Sequence, residues 1–168
     1  MNTVDHNLVP KDLDSFWMPF SAQRNFKRDP SFIVSARGMH YTDSLGNQVL
    51  DGSAGLWCVN AGHYREHINE AIAQQLSELD FAHNFSSGHP LAFDYASRLV
   101  KQFPDPLNHV FFTNSGSESV DTALKIALAY HRTRGEAGRQ RLIGREKAYH
   151  GMGFGGLSIS GLVKNRNP

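Results

Sequence analysis

Cysteine is nearly absent from this sequence: Cys58 is the only one in 168 residues. One thiol cannot build a disulfide framework, so the expected compartment is a reducing one, the cytosol. Long hydrophobic runs are missing as well. No stretch approaches the roughly 18 consecutive apolar residues that span a bilayer. The segment from Met1 to Asp14 mixes Asp5, Asp12 and Asp14 with Lys11 and holds no apolar block of secretory length. Charge of one sign is lacking too. A formal net charge of +1 leaves no surplus of Lys and Arg to neutralise a nucleic acid or an anionic membrane. Internal repeats and low-complexity tracts are absent. What remains, 40% hydrophobic and 20% charged residues, is close to the globular norm and predicts a soluble, compact chain long enough for one core.

Residues 1 to 31 carry Pro10, Pro19 and Pro30 among charges and aromatics without a sustained period, so an extended arm is expected. Phe16, Trp17, Phe20 and Phe26 require cover, since burying a large apolar side chain is worth about 1.5–3 kcal/mol. The arm should therefore lie on a surface, a partner subunit's among the choices. Next, Phe32-Ile33-Val34 and Met39-His40-Tyr41-Thr42 precede the turn formers Asp43 to Asn47, after which Gln48 to Asp51 resumes; the pattern predicts a hairpin. Gly52 to Trp57 is rich in small residues and reads as a loop that lets the backbone come close to a neighbour or ligand.

Ile68, Ile72, Leu76 and Leu79 recur at helical spacing and predict a helix from Arg65 to Leu79. A second helix is expected after Pro90, with Ala92, Ala96, Leu99 and Phe103 on one side until Pro104. Val110 to Thr113 is an apolar run of the kind found in strands buried on both faces. It leads into Asn114-Ser115-Gly116-Ser117-Glu118. A helix then runs to about Arg134, with Glu118 and Asp121 at its positive end, Arg132 and Arg134 at its negative end, and Gly135 as the stop. Arg141 to Gly144 completes a strand–helix–strand unit, expected in a parallel sheet. Gly151 to Gly161 reads as an ordered, glycine-rich loop.

A strand that turns through Ser-Gly-Ser into a helix aims free N–H groups and hydroxyls at one point, beside the positive end of the helix dipole. Gly116 permits close backbone approach, and Ser115 and Ser117 can donate to a phosphate oxygen. On these residues alone, Ser117 serves equally as a simple helix cap.

The longer string Phe112-Thr113-Asn114-Ser115-Gly116-Ser117-Glu118, followed by an Ala-rich helix, resembles the cofactor-phosphate loop of class III pyridoxal-phosphate-dependent aminotransferases. Ala148-Tyr149-His150-Gly151 resembles the same family's Tyr-His-Gly segment, whose aromatic ring stacks on the cofactor. Asp51 to Trp57 is similar to the segment that crosses from the arm into the active site. Trp17-Met18-Pro19-Phe20 is similar to the segment that closes over that site. The resemblance runs from about Phe16 to the end and is strongest to the β-alanine:pyruvate (ω-amino acid:pyruvate) branch.

The resemblance implies an α/β fold of the fold-type I class, with an N-terminal arm and an incomplete large-domain sheet. Residues 1–60 would form the arm and part of the small domain, and residues 61–168 the first portion of the cofactor-binding large domain. It implies pyridoxal 5'-phosphate held by Ser115, Gly116, Ser117, Tyr149 and His150. A substrate pocket would draw on Trp17, Leu56, Trp57 and Phe85, of which Trp57 is a core residue and Trp17 and Phe85 dimer-interface residues on the rival reading. The partners implied are a small-molecule amino donor and pyruvate, in a homodimer. Family members are more than twice this length, and their Schiff-base Lys, pyridinium-pairing Asp and carboxylate-binding Arg lie later. No catalytic residue is therefore expected here: Lys101, Lys125, Lys147 and Lys164 match no motif and read as solvated charges.

Rival classes are a non-catalytic remnant and another fold-type I enzyme, such as an aminomutase or decarboxylase. His63 and His67 at i, i+4 with Glu66 suggest a metal site, but no third ligand has suitable spacing, and no metal is expected. Asn84-Phe85-Ser86 matches a glycosylation acceptor without the signal that would give it meaning.

Overall fold

The computed structural model describes residues 9–162. The chain divides into two compact units between Ser87 and Gly88.

In the first unit the arm contains one short helix, α1 (Gln23–Arg28), where an extended segment was expected. Phe26 on α1 packs edge-on against Phe32, ring centroids 5.6 Å apart. Lys27 binds Asp14 at 2.6 Å, and this ion pair lowers the Asp14 carboxyl below its ordinary range. Phe16, Trp17 and Phe20 remain exposed, so no surface among the described residues covers them.

The expected hairpin is a three-stranded antiparallel meander, β1 (Ile33–Arg37), β2 (His40–Asp43) and β3 (Gln48–Leu50), in the order β1-β2-β3. Gly38 and Met39 join β1 to β2, with Gly38 at φ +59°, the backbone region that two-residue hairpin turns require. Asp43 builds the second turn by accepting from Leu45 N–H and Asn47 N–H at 2.9 and 2.7 Å. Hydrogen bonds from Asn47 lead the causes that lower its carboxyl. In register, Tyr41 on the central strand faces Ala36 and Val49. Past β3, α2 (Ala54–Trp57) is a single helical turn where the sequence suggests a loop. The longer α3 (Glu66–Glu78) follows as expected.

The second unit holds α4 (Pro90–Leu99), capped by the His89 side chain and extended by a 3-10 turn, Val100–Gln102. Next comes α5 (Gly116–Thr133). Gly135, at φ +76°, ends α5: its N–H bonds to Arg132 O, and Glu136 N–H reaches His131 O at 2.8 Å. This is a complete Schellman stop. The glycine-rich stretch contains a short helix, α6 (Phe154–Ser158), in place of an uninterrupted loop.

Two strand expectations are corrected. Neither Val110–Thr113 nor Arg141–Gly144 forms a strand among the described residues, whose only sheet is the meander. A strand exists through its ladder, and an apolar run without a neighbouring backbone has nothing to pair with. Phe111 is accordingly 72% exposed, although Phe112 stacks on Tyr95 of α4 at 5.6 Å.

The expected core is also absent: among the described residues no hydrophobic side chain is buried. Ile72 and Leu76 on α3, Leu91 and Tyr95 on α4, and Ile126 and Tyr130 on α5 are all exposed. The helical periods are real, but these residues provide no second layer to oppose them. No described helix is long and apolar enough to cross a membrane.

Candidate functional site

The start of α5 has the geometry its sequence suggests, with one exchange of roles. Ser115, and not Ser117, is the cap: its Oγ accepts from Glu118 N–H at 3.1 Å. Glu118 returns the contact by accepting from Asn114 N–H at 2.8 Å. The arrangement is close to a capping box. The Thr113 and Ser119 hydroxyls pair beneath it, and Ser119 N–H bonds to Ser115 O. The first-turn N–H groups of Glu118 and Ser119 are thus satisfied, while those of Gly116 and Ser117 have no acceptor among the described residues.

Ser117 Oγ accepts from Met152 N–H at 3.0 Å. A hydroxyl has one hydrogen to give and two lone pairs. Ser115 and Ser117 both use lone pairs on backbone N–H groups, and neither O–H donates to a partner among the described residues. Two N–H groups and two hydroxyls therefore remain at one helix end, and nothing lies within 4 Å of where a Cβ on Gly116 would stand.

The glycine-rich stretch is docked onto this end of α5. Asp121, one turn beyond Ser117 on the same helix face, accepts from Gly156 N–H at 2.8 Å. The contacts are close enough to demand glycine. A Cβ on Gly151, whose φ is +102°, would stand 2.8 Å from Ser117 Cα, and one on Gly156 would stand 2.2 Å from His150 O. Tyr149 and His150 immediately precede this contact. The Tyr149 side chain is 53% exposed. His150 Nε2 is buried with no hydrogen-bond partner among the described residues, an arrangement folded proteins rarely leave without a purpose.

In the first unit, Leu56 and Trp57 sit on α2, which runs left-handed: Ala54, Gly55, Leu56 and Trp57 have φ of 51°, 58°, 58° and 72°. Each non-glycine residue held there costs about 1–2 kcal/mol. Five donors converge on Asp51 behind the turn. Oδ1 accepts from Ser53 N–H and Ser53 Oγ, Oδ2 from Gly55 N–H at 2.7 Å and His63 Nε2 at 2.8 Å, and Tyr41 donates its hydroxyl. Burial pushes the Asp51 carboxyl up. The hydrogen bonds from His63, Ser53, Tyr41 and Gly55 outweigh it and hold the group well below the usual carboxylate range. Burial, followed by the Asp51 contact, raises the Tyr41 phenol. An ionised carboxylate only accepts, so Nε2 of His63 carries the hydrogen. A cavity of about 380 Å³ opens here, lined by Met39, Asp51, Ser53, Trp57, Val59 and His63 among others.

The sequence-predicted residues thus fall into groups. Ser115, Gly116 and Ser117 share one helix end, and the Ser117–Met152 and Asp121–Gly156 bonds bring the Tyr149-His150 segment to it. Leu56 and Trp57 share one turn. Trp17 and Phe85 are exposed, and among the described residues no ring contact joins either to Trp57. Sequence reasoning placed Asp121 only at the positive end of the helix and missed its bond to Gly156, although its spacing from Ser117 was a usable signal. It also missed the Tyr41–Asp51–His63 array, which no spacing rule reveals. His63, weighed as a metal ligand, is committed through Nε2 to Asp51. Lys164 lies outside the described residues.

Solved structures share this course of the backbone. An (S)-enantioselective omega-transaminase from Thermomicrobium roseum superposes with a TM-score of 0.91 at 35% identity, over 99% of this chain and 38% of that one. The omega-transaminase from Pseudomonas jessenii, solved in complex with PMP, gives 0.88 at 31% identity, over 94% and 35%. The fold is therefore the α/β, fold-type I architecture of pyridoxal-phosphate-dependent transaminases. The family model Aminotransferase class-III matches residues 21–167, and the chain belongs to that family. It is 61% identical over 155 residues to an omega-aminotransferase of Caulobacter vibrioides and 48% identical over 155 residues to a beta-alanine–pyruvate aminotransferase of Pseudomonas aeruginosa. Each match covers 92% of this chain and 35% of the relative. The chain spans about a third of the length of these curated relatives.

Proposed function

We propose that this chain supplies the phosphate-binding and ring-orienting part of a pyridoxal-phosphate-dependent transaminase that moves an amino group from an amine or ω-amino acid to pyruvate. The observation that carries the reading is the set of four uncommitted donors at the start of α5, beside a docked Tyr149-His150 segment. A phosphate is the ligand such a helix end suits, since its charge meets both the donors and the positive end of the dipole. The residues fit the cofactor: Gly116 faces open space, the Tyr149 ring is accessible, and His150 offers a buried ring nitrogen without a partner.

Pyridoxal phosphate, when bound, supplies the electron sink for the chemistry. The chain's own residues bind and orient. Gly116 and Ser117 N–H with the Ser115 and Ser117 hydroxyls hold the phosphate. Tyr149 stacks on the ring, and its position is set by the Ser117 and Asp121 bonds to the segment that follows it. Leu56 and Trp57, with Trp17 and Phe85, shape the substrate pocket. We assign no catalytic residue within the chain.

Dimerisation belongs to the same proposal and is supported by the exposed apolar side chains of α3, α4 and the arm. A cytosolic setting is supported by the lone cysteine. In the intact protein carrying this chain, Tyr149→Ala should retain less cofactor through gel filtration than the wild type, and alanine should form from pyruvate when an ω-amino acid is supplied. Unchanged retention overturns the stacking role; absence of alanine overturns the reaction.

A further inference from the structure

A left-handed turn containing Ala54, Leu56 and Trp57 is unfavourable wherever it occurs, and such strain persists only where surrounding structure over-determines it. Here the restraint is identifiable. Asp51 takes both Ser53 N–H and Gly55 N–H, fixing the backbone that enters the turn. His63, twelve residues away in sequence, fixes Asp51 through its Nε2. The backbone of His63 is itself pinned to the β1–β2 turn by paired bonds with Gly38, at 3.1 and 2.8 Å, and its ring lies 4.6 Å from that of Tyr41. The Asp51 and His63 side chains are 3% and 12% exposed. The turn beyond them leaves Leu56 72% and Trp57 77% exposed. A rigid, desolvated base thus presents two bare apolar side chains.

We propose that His63 is a positioning residue for substrate specificity: acting through Asp51, it locks the left-handed turn and so fixes where Leu56 and Trp57 stand. The proposal rests on the reading of these two residues as pocket walls. Loss of the His63 N–H donor leaves the turn free to relax toward the right-handed region. The pocket walls then move, and discrimination between small and large amino donors changes. A purely structural role predicts something else, an equal loss for every donor.

The test uses the intact enzyme. His63→Phe keeps a ring against Tyr41 and removes the donor, while His63→Gln keeps an N–H donor on a side chain of similar reach. For each, kcat/KM is measured for a short ω-amino acid and for a bulky arylalkylamine, and amide exchange is followed across residues 53–58. His63→Phe should change the ratio of the two kcat/KM values by about tenfold or more and speed exchange in the segment, whereas His63→Gln stays within about threefold of wild type on both. Trp57→Ala is the control for the pocket reading. If Trp57→Ala leaves the ratio unchanged, the pocket reading fails and the proposal fails with it. If Trp57→Ala moves the ratio and His63→Phe does not, or lowers both donors equally, the proposal alone is overturned. Should His63→Phe fail to fold, Tyr41→Phe removes only one donor to Asp51. It should shift the ratio in the same direction as Trp57→Ala, and an unchanged ratio overturns the proposal.

Discussion

The turn behind Asp51 and the helix end at Ser115 are both dense polar clusters, and they differ in what is left over. Asp51 is saturated: five donors meet two oxygens, and the carboxylate has nothing further to accept. At Ser115 to Ser117 the reverse holds, since the oxygens are engaged and the hydrogens are free. A saturated cluster has only scaffolding to offer, whereas an open one has donors to give a ligand. Sequence alone points to the helix end and leaves the cluster around Asp51 hidden.

The sharpest way to break the contrast is to remove the scaffold. Asp51→Ala strips the donors of their common acceptor, and amide exchange across residues 53–58 should rise about a hundredfold, because charge-assisted bonds are the strong ones. Protection that survives would mean that the left-handed turn stands without the carboxylate. In the second unit the docking is steric as much as polar. Gly151→Ala puts a Cβ 2.8 Å from Ser117 Cα, and denaturant unfolding of the intact protein should report a loss of about 1–3 kcal/mol, the usual penalty for overpacking. Ser115→Ala removes the cap and should cost about 1 kcal/mol in the same measurement made without cofactor.

Acid gives the smallest effect. The Asp51 carboxyl titrates below its ordinary value, so the unfolded chain binds the proton first and the contribution of Asp51 grows with pH across that window. Protection of residues 53–55, corrected for intrinsic exchange, should hold flat from neutrality to about pH 4, the ordinary aspartate range, and decline below it. A decline that begins near neutrality would point to a different group.

The legible parts of the chain were those governed by local rules. Apolar residues at helical spacing gave α3 within a residue of its observed ends, and Pro90 and Gly135 stand where a helix should begin and stop. Helices of four to six residues, α1, α2 and α6, complete too few turns to impose a period. The runs at Val110 and Arg141 have strand-like composition but find no ladder among the described residues. The helix start at Asn114 to Glu118, where we propose the phosphate binds, was readable because a cap is local. His63 was not, since its partner Asp51 is brought to it by the meander and a bridge to Gly38.

The central claim is that the free donors at the start of α5 hold a phosphate. The direct test is the affinity of the intact protein for pyridoxal phosphate and for pyridoxal, with and without Ser117→Ala. Loss of one hydrogen bond to the charged group should weaken the phosphate-bearing form by about tenfold, and by more than it weakens pyridoxal, which loses only the Ser117–Met152 contact that positions Tyr149. Equal affinities of wild type and Ser117→Ala for pyridoxal phosphate would contradict the account.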